Sequence, residues 1–206
     1  LFNNTTGSSN TATGFKALYS NIDGSGNVTN GTNALYSNTT GNYNVANGYD
    51  ALYSNTTANN NVANGYLALY YNTTGNENTA NGVAALKDNT TAYSNTANGS
   101  YALRSNTTGI KNAACGSYAL RNNTTGRFNT ASGYQALYYS TTGEGNVALG
   151  YQAGDANTIG TYNTFLGYGT DNNANNLTKS TSIGWNANAT ASNQIMLGTA
   201  TETVVV

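Results

Sequence analysis

The chain has no histidine and no proline, one cysteine at position 115, and charge on only 7% of its 206 residues. Each shortage excludes something. With no histidine and only Cys115, a His/Cys zinc site has no ligand set and no disulfide can close within the chain. The lack of proline means that no backbone donor is lost from a paired ladder. Charged residues usually make up about a quarter of a protein. Here seven Lys/Arg face eight Asp/Glu, which argues against nucleic acid as a partner and against a charge-rich disordered tail. No run of about 18 apolar residues exists, so no membrane insertion is expected. The hydrophobic fraction leans on Ala and Tyr, which suits a thin core of small side chains. A start at Leu1 rather than Met reads as a segment processed or excised from something longer.

What the chain does have is repetition. "NTTGNYNVANGYDALYS" at 38–54 is followed at once by "NTTANNNVANGYLALYY". Ala-Leu recurs every 17 residues from 17-18 to 136-137, without insertion. Glycine keeps the same count at Gly14, Gly31, Gly48, Gly65, Gly82, Gly99, Gly116, Gly133, Gly150, Gly167 and Gly184, and asparagine from Asn10 to Asn163. Seventeen residues are too few for the helix pairs of helical solenoids, and Asn, Thr and Gly are poor helix formers. A strict phase is also foreign to low-complexity disorder. The period therefore predicts an all-β fold, a parallel β-solenoid or β-roll of eleven 17-residue coils over 1–192. Residues 193–206 are expected to form a terminal strand, cap or junction.

One lap has room for two short strands, expected in N-[TV]-A-N-G-Y and in A-L-Y-S, with N-T-T-G-x-x as a turn. Coils about 4.8 Å apart would stack into a rod on the order of 50 Å long, each residue above its own copy. The leucine ladder (Leu18, Leu35, Leu52, Leu69, Leu86, Leu103, Leu120, Leu137) is expected inside with the alanines, and the glycines at bends or close backbone approaches. The residue before each bend glycine is Asn30, Asn47, Asn64, Asn81 and Asn98, then Cys115, Ser132, Leu149, Leu166 and Ile183. A place that accepts Cys, Leu and Ile reads as buried, with the asparagines forming an internal amide ladder and Cys115 a small core side chain.

On the outside, Tyr19, Tyr36, Tyr53, Tyr70 and Tyr138 form a candidate surface or interface ladder, interrupted by Lys87, Arg104 and Arg121. The tyrosines read either as packing against one another or as a binding surface. The cations read as solvated surface, with an anionic sugar or lipid as the other option. The Thr-Thr pairs serve as turn chemistry, as an ice-matching array, or as part of N-x-T glycosylation sequons at Asn38, Asn55, Asn72, Asn89, Asn106 and Asn123. Adjacent threonines on a strand would face opposite ways, unlike the Thr-x-Thr of flat arrays. The acids are scattered with no repeated pair, so no catalytic cluster, metal site or cofactor is expected.

From residue 146 the pattern shifts to "NVALGYQAG", "NTFLGYGT" and "STSIGWNANATASNQIMLGTATETVVV". These stretches resemble the head repeats of trimeric autotransporter adhesins, and the earlier coils resemble repeats of bacterial surface and phage tail-fibre proteins. In such proteins a segment like the last one precedes a self-cleaving chaperone domain of the endosialidase type. The resemblance implies a homotrimer of rolls in an extracellular or virion fibre, with glycans as candidate ligands. Two further readings stand beside it: a subunit stacking head to tail into a filament, and an ice-binding solenoid.

Overall fold

A computed structural model describes residues 2–199. It is an all-β parallel solenoid of about eleven turns, with no helix among the described residues. The strands are β1 (Thr11–Thr13), β2 (Val28–Asn30), β3 (Val45–Asn47), β4 (Val62–Asn64), β5 (Thr79–Asn81), β6 (Thr96–Asn98), β7 (Ala113–Cys115), β8 (Thr130–Ser132), β9 (Val147–Leu149), β10 (Thr164–Leu166), β11 (Asp171–Asn172), β12 (Thr181–Ile183), β13 (Asn188–Ala189) and β14 (Ile195–Leu197). Twelve of them form one parallel sheet in chain order, and β11 and β13 form a second, smaller one.

The register follows the sequence period. Ala46 lies opposite Ala63, which lies opposite Ala80, and the same 17-residue step runs from β1 to β12. The last lap is shorter: Thr181 pairs with Ile195, a step of 14. Ile195–Leu197 thus forms the last rung of the large sheet, and the remainder of the expected terminal segment, from residue 200, lies outside the described residues.

Each strand of the regular coils is only three residues long because the bend glycine ends it. Gly48, Gly65 and Gly82 sit at φ 142°, 142° and 139°. A Cβ built on Gly82 would lie 2.5 Å from the carbonyl oxygen of Gly99 in the next coil. Both the backbone conformation and the space therefore demand glycine. Within the strand the middle alanine points inward and its neighbours point outward, as a two-residue period requires.

The second expected strand, A-L-Y-S, is a turn instead. Leu35, Leu52 and Leu69 have φ 52° and Asn33 has 54°, so left-handed residues alternate with ordinary ones. The reason lies in burial. Ala34 and Leu35 are consecutive and both fully buried, which a flat strand cannot achieve because adjacent side chains face opposite ways. A left-handed leucine costs about 1–2 kcal/mol, and burying its side chain returns about 1.5–3 kcal/mol. The turn still bonds coil to coil: Leu35 N–H donates to Ala51 (2.9 Å) and Ser37 N–H to Tyr53 (3.0 Å).

The core is the eight leucines with the alanines of both walls. In the divergent coils its composition is exchanged. Gly154 (φ 66°) takes the leucine place after Leu137, and fully buried Phe165 takes the place of Ala148. A Cβ on Gly154 would lie 2.5 Å from Phe165 Cδ2, so the phenyl ring fills the space the leucine vacated.

Candidate functional site

The inward-facing polar residues are spent on structure. Two asparagine ladders run inside the regular coils. In the first, Asn38 Nδ2 donates to Asn21 Oδ1 (2.8 Å) and to the Gly41 carbonyl (2.9 Å), while its own Oδ1 accepts from Asn55 (2.8 Å). In the second, Asn44 donates its backbone N–H to Asn27 Oδ1 (2.9 Å) and its Nδ2 to the Ala58 carbonyl (2.8 Å). The six sequon asparagines all belong to the first ladder and are fully buried, so the folded coil offers none of them for glycosylation. The ladder breaks at Ser140, whose side chain is shorter. Ser140 Oγ and Asn123 Oδ1 are both buried without a partner.

The column before the bend glycine is a correction in one respect. Its amides do bond upward, from Asn47 to Asn64 (2.8 Å), to Asn81 (2.7 Å), to Asn98 (2.7 Å). They do so on the outside. Asn30, Asn98, Cys115, Leu149 and Leu166 are exposed, because the alanine between the two outward positions already faces the core. Tolerance of apolar side chains there reflects a surface, not a core. From Leu149 on, the column is apolar, exposed at Leu149, Leu166 and Leu197 and half-buried at Ile183, with Val147 and Ile195 exposed beside it.

The tyrosine column is a continuous stack. Phe2, Tyr19, Tyr36, Tyr53 and Tyr70 have ring centroids 5.2–5.3 Å apart and interplanar angles of 2–11°. All four tyrosines are half-buried, their faces used by one another. Tyr138 lies four laps beyond Tyr70 and packs edge-on against Tyr139. A second aromatic column directly follows the bend glycine and was not anticipated. Tyr134, Tyr151 and Tyr168 stack at 5.4 and 4.9 Å, and Trp185, 61% exposed, occupies the next place. The recurring Gly-Tyr dipeptide was its signal in the sequence.

Between Tyr70 and Tyr138 the column holds Lys87, Arg104 and Arg121. The outer two lean apart: Lys87 Nζ sits 5.5 Å over the Tyr71 ring, and Arg121 Nη1 donates to the Tyr138 hydroxyl (3.3 Å) and to Asn122 (3.0 Å). Arg104, between them, makes no side-chain hydrogen bond or ion pair within the described residues. Arg121 Nε is buried and unpartnered. Lys87 is 3.9 Å from Asp88.

The Thr-Thr pairs divide. Thr39 Oγ1 donates to the Thr56 carbonyl (3.0 Å) and Thr56 to Thr73 (3.2 Å), while Thr40, Thr57 and Thr74 are exposed. One acid is perturbed. Burial pushes Asp171 up to about 7, and the hydrogen bond its protonated carboxyl makes to Asp155 adds to this against the opposing N–H groups of Ala156 (2.9 Å) and Asn172 (2.8 Å). Among the described residues, no group of three or more acids and cysteines is placed to hold a metal ion. No family model, curated protein or solved structure matches the chain.

Proposed function

We propose that the protein is a non-enzymatic rod, a rigid segment of an extracellular fibre such as a surface adhesin or tail fibre, assembled from three copies. The observation that carries this is the spending of the interior. Over ten equal laps, from β1 to β12, the inward positions of the regular coils hold a leucine, alanines or bonded asparagines, with Thr29 and Ser140 as the departures, which leaves only axial surface columns for function. A structure of that kind sets a length and presents a repeating surface. The resemblance of the stretches from residue 146 onward to adhesin head repeats supports the extracellular setting.

Self-association is supported by the strip flanking the last bend glycines. Leu149 (50% exposed), Leu166, Ile195 (71%) and Leu197 lie on one side, with Tyr151, Tyr168 and Trp185 on the other. Together with Val147 they make eight exposed apolar or aromatic side chains flanking the last bends, and large apolar surface of this kind marks an interaction site. Second and third copies of the chain are the occupants, since identical rods bring identical strips into register.

Mass photometry at micromolar concentration tests this. A trimer that falls to monomer in Leu149→Asn/Leu166→Asn supports the assembly; a monomeric parent protein sinks it. No specific observation favours a head-to-tail filament or ice binding over this reading.

A further inference from the structure

We infer that Lys87, Arg104 and Arg121 form a binding site for a linear acidic polysaccharide lying along the rod axis. The inference deepens the fibre reading, from which it takes only the extracellular source of the ligand.

The site starts from a departure in the repeat. A tyrosine at this place is self-sufficient, because it stacks on its own copies above and below. A cation is not, since each one faces another like charge one lap away, about 4.8 Å along the axis. The chain nonetheless places three in succession. Five of its seven cations, but only one of its eight acids, lie between Lys87 and Arg127. The neighbouring column offers no relief: at its places stand Tyr101 and Tyr118, stacked on each other at 5.3 Å.

The side chains show what is missing. Lys87 leans toward the preceding coil and Arg121 toward the following one, so both turn away from Arg104. Arg104, half-buried, makes no side-chain hydrogen bond or ion pair among the described residues, so its donors are in place with nothing to accept from them. Asp88 reaches only Lys87, and at 3.9 Å. An anion with one charge per lap would satisfy all three cations, and only a polymer supplies that repeat.

Sugars fit the flanks better than nucleobases or lipids do. The Tyr101 and Tyr118 faces turn toward each other, so they give edges and hydroxyls to hydrogen-bond a polyol but no free platform for base stacking. Three cations also fall short of the clusters of four to eight that hold a protein on an anionic membrane. Beyond the window the rod carries a net excess of acids, which would repel a long nucleic acid.

The test is binding of size-fractionated heparin (sulfate and carboxylate) and polygalacturonate (carboxylate only) to the intact chain. Polyphosphate, single-stranded DNA and phosphatidylserine vesicles run beside them. The decisive variant is Lys87→Tyr/Arg104→Tyr/Arg121→Tyr, which restores the residue of the flanking coils and so preserves the stack. It should weaken acidic-polysaccharide binding at least tenfold and flatten its salt dependence, with circular dichroism unchanged. Lys111→Gln/Arg127→Gln removes two cations from another face and should change binding less than about twofold. Equal losses in both variants would mean net charge alone is responsible, and would overturn the site. So would absence of binding to either polysaccharide, or tighter binding of polyphosphate, DNA or vesicles. A preference between the two polysaccharides identifies sulfate or carboxylate as the recognised group. Loss of this binding with the trimer intact removes this inference and leaves the fibre reading standing.

Discussion

The coils up to residue 149 and those after it solve the same packing problem in different ways. In the regular part, each lap supplies one left-handed leucine, facing alanines and, up to Ser140, two buried asparagines. In the divergent part the leucine disappears at Gly154, Phe165 grows into the space from the opposite wall, and a small second sheet, β11 with β13, begins at the leucine place of the turn. The outer surface changes with it, from an amide column to an apolar one. The backbone step is thus indifferent to which wall supplies the core volume, provided that the sum is kept. What it does not give up is the bend glycine, present in every lap of both parts from Gly14 to Gly184.

That comparison can be broken at its strongest point first. Gly82→Val combines a disfavoured φ of 139° with a collision against the next coil, and should cost more than about 4 kcal/mol or abolish folding, as read by guanidinium denaturation. Gly167→Val should behave alike, since the two parts share the bend. Phe165→Ala is expected to cost about 3–5 kcal/mol through the cavity it leaves. Adding Gly154→Leu should recover much of that loss by returning the core to the arrangement of the regular coils. If the double variant is no better than the single one, the volume exchange is wrong.

Smaller effects test the asparagine ladder. Asn72→Ala strands its buried neighbours and should cost about 1–3 kcal/mol. Ser140→Asn should add about 1 kcal/mol by giving Asn123 Oδ1 a donor. A further prediction concerns pH. Asp171 stands at about 7 in the folded chain, against an ordinary 3.8, so the folded state holds a proton that the unfolded state has released between those values. Stability should therefore fall as pH rises from about 4 to 7, then level off. Thermal melts should show the decline in the parent chain and lose it in Asp171→Asn, with Gly82-side coils unaffected in hydrogen exchange.

The period, the leucine and alanine core and the bend glycines could be read directly, because stacking identical laps turns sequence spacing into vertical contact. Three features could not. Two successive buried residues, Ala34 and Leu35, looked like part of a strand because the left-handed leucine that buries both leaves no compositional mark. Asn38 and its copies read as part of a turn or of a sequon, with nothing to mark them as buried; only closure of the coil shows that a column of them satisfies itself. Leu149 and Leu166 looked buried because apolar residues usually are, although the strand's two-residue alternation around Ala148 already turned them outward.

The central claim is that one lap of seventeen residues advances one strand spacing, and electron–electron double resonance measures this directly. Spin labels go on the exposed threonines 40, 108 and 142, with Cys115→Ser as background and unlabelled chain in excess. The Thr40–Thr108 pair spans four laps and should read roughly 19 Å, and Thr40–Thr142 spans six and should read roughly 29 Å. Distances that grow linearly with the number of laps confirm the stack; distances that do not grow, or that spread broadly, contradict it.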